Sequence, residues 1–227
     1  MTQATNDVGP TAQIYATLAD EAWRQLGSRP LTELMLAEIA ARADVDAALA
    51  VAVAGSPQQL VLGKMTALDD QAVLESFADI EDAGAVPSRE KILEALMHRF
   101  EVYAPHRTQI QALNRAARGR PDLALALGLG LQAVTRRMLA MAGDHCDGWR
   151  GLLRIKGVAG VVLVVARVWM DDDSPDLAPT MKELDRRLQQ AEEWAFSFRL
   201  FQQSHLRETE TARYDDITAG RGGFEND

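Results

Sequence analysis

Ten consecutive residues, Gly157–Ala166 (GVAGVVLVVA), are apolar. A helix on the surface of a globular protein shows one apolar stripe. A helix that is apolar all round is enclosed by protein or by lipid. Lipid fits poorly. A membrane span needs about 20 uninterrupted apolar residues, whereas Arg154, Lys156 and Arg167 bracket this run. The segment from Gly148 to Leu177 therefore reads as the central helix of a bundle, wrapped by others. Gly157 and Gly160 lie one turn apart on it. Glycine costs a helix about 1 kcal/mol relative to alanine, so the pair implies a closely packed neighbour or space for an apolar ligand.

The rest of the chain supplies the wrapping. Of 227 residues, 47% are hydrophobic and 25% charged, which suits a packed globular chain rather than a disordered one. Aromatic residues are few, and the abundant Ala and Leu favour helix. A first helix is expected from Thr11 to Leu26, with Ile14, Leu18, Ala22 and Leu26 in one stripe and Gly27 as its stop. A long helix is expected from Pro57 to Asp82. Further helices follow Ser88, Pro105 and Pro121, separated by Gly and Pro. The one after Pro121 places Leu123, Leu127, Leu131, Val134 and Met138 at helical spacing, with Gly128 and Gly130 inside. Asp171–Asp173 suit a helix C-terminus badly and should end the central helix. Asp176 or Thr180 is the expected cap of a last helix reaching about Gln203. No strand pattern and no repeat is present. The expected division is a flexible tail (1–10), a small helical head (11–56), a helical ligand-binding and dimerisation unit (57–204), and a polar, disordered tail (205–227).

Within the head, Leu34, Ile39 and Ala40 suit a short helix ending near Arg42. Ala43–Val45 reads as a tight turn, and Asp46 as the N-cap of a second short helix through Val53. Ser56 and Pro57 then open the long helix. Helix, turn and short helix form the plan of a helix-turn-helix. The layout resembles the N-terminal domain of TetR-family regulators, carried by Glu38-Ile39-Ala40 and Ala43-Asp44-Val45. The contacting positions differ from that family. Its turn glycine is Asp44 here. Its threonine, tyrosine and phenylalanine are Leu49, Val51 and Ala54, and its lysine is Pro57. Arg42 is the one basic residue between Leu31 and Gly63. A recognition helix needs side chains that hydrogen-bond base edges and phosphates, and Asp46–Val53 offers none beyond its cap. The formal net charge of −9 also opposes non-specific binding to nucleic acid. DNA-binding residues are therefore expected to be none.

Catalytic patterns are missing. No G-x-S-x-G, P-loop or G-x-G-x-x-G occurs, and the chain reads as a non-enzyme with no cofactor. Glu94 and His98 share a helix face, but one such pair is half of a four-helix di-iron site, and no metal is expected. His145-Cys146-Asp147 reads as a solvated loop. One cysteine, Cys146, excludes an internal disulfide and fits a reducing compartment. The N-terminus lacks the charged and apolar regions of a secretory signal.

The segment Trp169-Met-Asp-Asp-Asp-Ser-Pro-Asp176, followed by Thr180-Met-Lys-Glu-Leu-Asp-Arg-Arg-Leu188, resembles the C-terminal signature of the ubiquinone (coenzyme Q) biosynthesis accessory family known from the ninth coq gene. His98-Arg-Phe-Glu-Val-Tyr-Ala-Pro105 and the degenerate helix-turn-helix precede it in the same order as in that family, over most of residues 11 to 195. The resemblance implies an all-α, TetR-like fold: a degenerate N-terminal helix-turn-helix and a C-terminal helical bundle with an apolar pocket. It implies a non-catalytic homodimer, paired through its last two long helices, that binds a prenylated quinone precursor and presents it to a pathway hydroxylase. The lipid wall carried over is Leu127, Leu131, Val134, Met138, Gly157, Val161 and Val164. The partner surface carried over is Trp149, Arg150, Arg154 and Lys156, although the family's Trp-Tyr pair is offset here and lacks the tyrosine. Members of that family touch membranes through a last amphipathic helix. Phe196, Phe198, Leu200 and Phe201 are the residues available for that, or for packing on the bundle. The expected location is cytoplasmic, at or near the inner face of the membrane. The alternative function is a TetR-family transcriptional regulator with a small-molecule pocket.

Overall fold

The computed structural model describes residues 9–82, 87–144 and 146–193, except the side chains of 79–82. The expected C-terminal tail, most of the expected N-terminal tail and the four apolar residues from Phe196 to Phe201 lie outside the described residues. The described residues are helical, without a strand. Nine helices appear among them: α1 (Pro10–Leu26), α2 (Leu36–Arg42), α3 (Ala47–Val53), α4 (Pro57–Asp82), α5 (Ser88–Tyr103), α6 (Arg107–Ala117), α7 (Pro121–Met141), α8 (Gly148–Met170) and α9, spanning 178–193.

The head forms as its local signals dictate. α1 buries Leu18, Ala22, Trp23 and Leu26, and it packs against α2, α3 and α4. Asp46 caps α3, its carboxylate accepting from the N–H groups of Ala48 at 2.8 Å and Leu49 at 3.1 Å. In the turn between α2 and α3, Asp44 takes φ +53°, a left-handed conformation that Asp tolerates better than most residues. Ser56 accepts from the N–H of Gln59 at 3.2 Å at the start of α4. Ser88 behaves otherwise. It is the first residue of α5, Pro87 holds the cap position, and no side chain closes that end.

α4 is the spine, in contact with α1, α5 and α7. Gly63 lets the Tyr15 ring lie directly against its backbone, in the space a Cβ would fill. The Tyr15 hydroxyl donates to the Gln59 carbonyl at 2.8 Å. Further along, Asp69 pairs with Arg99 of α5 at 2.8 Å, and both side chains are almost wholly buried. The Tyr103 hydroxyl donates to the same carboxylate oxygen at 3.0 Å, and the Arg99 guanidinium lies 4.6 Å from the Tyr103 ring centre. Burial drives the Tyr103 hydroxyl far above its usual range, and the Asp69 carboxylate adds to that.

The acidic turn after α8 has a structural role. Asp172 is buried and collects four hydrogen bonds. They come from the N–H of Ser174 at 3.1 Å and its hydroxyl at 2.5 Å, and from the N–H of Thr180 at 3.0 Å and its hydroxyl at 2.6 Å. The first turn of α9 is thus capped from across the loop. Thr180 lies inside α9 as a donor rather than before it as a cap. Asp176 accepts one longer bond, from Ala178 N–H at 3.3 Å. α9 buries Thr180, Leu184 and Leu188 and is held to α5 by Arg89, which meets Asp185 at 2.7 Å and Glu192 at 3.5 Å. Trp169, at the end of α8, is buried against Phe100 and the Arg107 guanidinium.

Candidate functional site

α8 has two faces. Gly151, Ile155, Val158, Ala159, Val162, Val165 and Trp169 recur at three- and four-residue steps and are buried. Gly151 packs so closely on the Cys146 backbone that no Cβ would fit. The opposite face carries Trp149, Leu153, Lys156, Gly160 and Leu163 at the same steps. Trp149, Leu153 and Leu163 are each about 60% exposed. A Cβ added at Gly157 or Gly160 would meet nothing within 4 Å, and Gly128 and Gly130 of α7 are equally open. Leu125 and Leu129 of α7 are also well exposed.

This corrects the expectation of a wrapped central helix. The glycines neither seat a neighbouring helix nor line an enclosed apolar pocket among the described residues. The reason is physical: a helix apolar all round must be covered, but composition does not say that its own chain supplies the cover. Two concavities among the described residues, of about 440 and 480 Å³, are open to solvent and have mixed polar and apolar linings. One lies around Arg107, Asp173 and Ser174, the other around Thr32, Ser56, Gln58 and Arg120. Neither is bounded by α7 or α8 glycines.

The seven residues expected to form a lipid wall are divided by this arrangement. Val134 and Met138 are core residues. Leu127, Leu131 and Val161 are half-buried against the core, Val164 is half-buried, and Gly157 is exposed. The four residues expected to meet a partner gather at the start of α8. Trp149 and Lys156 share a stripe with Gly160, and the Arg150 guanidinium lies 5.4 Å from the Trp149 ring centre. Arg154 is ion-paired with Asp144, which ties the end of α7 to α8. The sequence reasoning separated a lipid wall from a partner surface. The structure joins Trp149, Lys156 and Gly157 to one exposed side of α8, with Leu152 and Leu153 between them.

In the head, α3 turns Ala47, Ala48, Leu49, Val51 and Ala52 to solvent. The face that would enter a DNA groove is apolar. Other polar clusters are engaged within the fold. His98 lies 2.7 Å from Glu75 and 3.5 Å from Glu101, and no group of metal-ligand side chains occurs among the described residues. Burial, with the Asp144 carboxylate, raises the Cys146 thiol above its ordinary value, the reverse of an activated nucleophile. Among the described residues one helix, α7, is long and apolar enough to cross a membrane by length and composition.

No family model and no curated protein matches this chain. Among solved structures it is similar to a TetR-like transcriptional regulator from Rhodococcus sp. RHA1. The likeness covers 77% of this chain and 93% of that one, with 18% identity and a TM-score of 0.49.

Proposed function

We propose that this protein is a non-catalytic, dimeric lipid carrier of ubiquinone synthesis, which presents a prenylated quinone precursor to a hydroxylase. The observation that carries this reading is the side of α8 that leaves Trp149, Leu152, Leu153 and Leu163 open to solvent, together with exposed Leu125 and Leu129 on α7. Each CH₂ removed from water on such a face gains about 0.8 kcal/mol. A second copy covers the glycine stripe, where the lack of side chains at Gly157 and Gly160 lets two helices approach closely. The prenyl chain lies along half-buried Leu127, Leu131, Val161 and Val164. The hydroxylase meets the basic and aromatic end formed by Trp149, Arg150, Arg154 and Lys156. The sequence likeness around Asp172–Asp176 and Thr180–Leu188 supports the choice of lipid.

Mass spectrometry of organic extracts from the purified full chain tests this. A co-purified prenylated aromatic is expected, and extracts free of lipid from a dimeric protein refute the carrier. A second reading, a transcriptional regulator, is favoured by the helix-turn-helix frame of α2 and α3 alone. A shift of promoter DNA at physiological salt would establish it in place of the first.

A further inference from the structure

The outer face of the head is a second apolar surface, remote in sequence from α7 and α8. Val51 is 66% exposed and Leu49 40%, with Ala47, Ala48 and Ala52 around them. Met35, at the start of α2, is 63% exposed. α3 is also firmly built. Ala50 and Ala54 are fully buried beneath it, and Asp46 caps it. A rigid helix presenting branched apolar side chains to water is a feature of interfaces more than of solvated surface.

Charge says what kind of partner fits. Asp44 and Asp46, in the turn that leads into α3, are both exposed. The nearby arginines are committed elsewhere. Arg29 and Arg42 both bond the Glu38 carboxylate, at 2.7 and 3.0 Å. The face is therefore apolar at its centre and acidic at its edge. Nucleic acid and an anionic bilayer are repelled by that edge. A second copy of the same face would set its acids against themselves. We propose that the outer face of α3 docks a basic amphipathic helix of a partner protein, its apolar side on Leu49 and Val51 and its Lys or Arg residues on Asp44 and Asp46. This does not depend on what α7 and α8 carry.

The test uses the full-length protein and a fluorescein-labelled Leu/Lys helical peptide about four turns long, followed by anisotropy. The expected result is saturable binding that weakens with salt and falls about tenfold in the double variant Leu49→Asn, Val51→Asn. Asp44→Asn with Asp46→Asn should flatten the salt dependence, because Asn tolerates the left-handed turn at 44 and caps a helix about as well as Asp. Val51→Arg should repel the peptide and leave the circular dichroism spectrum unchanged, since the side chain points to water. Three results would each overturn the proposal. One is binding within about twofold of wild type in both Val51 variants. Another is equal binding of the peptide with Glu in place of Lys. The last is loss of binding in Leu153→Asn, Leu163→Asn, which would place the peptide on α8. Attachment to phosphatidylglycerol vesicles that the Leu49 and Val51 changes abolish would likewise overturn it, in favour of a lipid surface.

Discussion

Removing the Asp172 carboxylate should weaken the whole α8–α9 junction. Two of its four donors belong to Thr180, which is completely buried. In Asp172→Ala those two donors lose their acceptor in a place water does not reach, at a cost of about 1–3 kcal/mol each. Ser174 is half-buried and can turn to solvent, so it adds little. The expected destabilisation is about 2–4 kcal/mol at neutral pH. Titration gives an independent figure. Burial pushes the carboxyl up, but the bonds from Ser174 and Thr180 outweigh it and hold it at about 2, against 3.8 for a free side chain. By linkage that is about 2 kcal/mol at most. Because the folded value is the lower one, this contribution is complete above pH 3.8 and is lost as the pH falls towards 2. Asp172→Asn keeps one accepting oxygen and should cost about half as much as alanine. The assay is urea unfolding of wild type, Asp172→Ala and Asp172→Asn at pH 7, repeated stepwise to pH 2. The wild-type advantage over Asp172→Asn should shrink across the acid range. A cost below about 0.5 kcal/mol for alanine, the level of an ordinary surface change, would refute the capping argument. So would a gap that stays constant down to pH 2.

Further outcomes follow from the same geometry. Asp69→Asn leaves the Arg99 charge buried without its partner and should cost about 3–5 kcal/mol in denaturant unfolding. Asp69→Leu with Arg99→Met should cost less than the sum of the single changes. Trp23 Nε1 donates to His106 Nδ1 at 3.2 Å, and burial, then Lys64, lower the imidazole's affinity for a proton. The folded state favours neutral His106, so its contribution is present above about pH 6.5 and declines as the pH falls below that. A melting temperature measured from pH 7.5 to 5 should drop less in His106→Gln than in wild type. Three glycines of α8 should respond differently to alanine. Gly157→Ala and Gly160→Ala, in open space within one chain, should stabilise the monomer by about 0.5–1 kcal/mol while weakening the proposed dimer. Gly151→Ala, pressed on the Cys146 backbone, should destabilise it by about 1–3 kcal/mol. Gly160→Arg should keep the helical circular dichroism spectrum, convert the proposed dimer to a monomer by light scattering, and remove the concentration dependence of the melting temperature.

Most helix ends could be read residue by residue, because their causes are local. Asp46 caps α3, Pro57 opens α4, Pro121 opens α7, and the acids from Asp171 stop α8, all as the sequence indicates. Thr180 misled for the same reason in reverse. A serine or threonine beside a helix start is a cap only if its side chain has no better partner, and for Thr180 the better partner is Asp172, eight residues away. The apolar outer face of α3 was also legible, since Leu49 and Val51 carry no group that hydrogen-bonds a base edge.

What the residues could not announce is which faces meet. Alternation and spacing fix how much apolar surface each helix must hide, because that follows from side-chain chemistry along one chain. Whether Val134 becomes core while Gly157 faces water depends on where α7 crosses α8, and that is set by the packing of the whole bundle. Trp149, Lys156 and Gly157 form one exposed surface for the same reason: only the assembled helices decide which side of α8 remains uncovered.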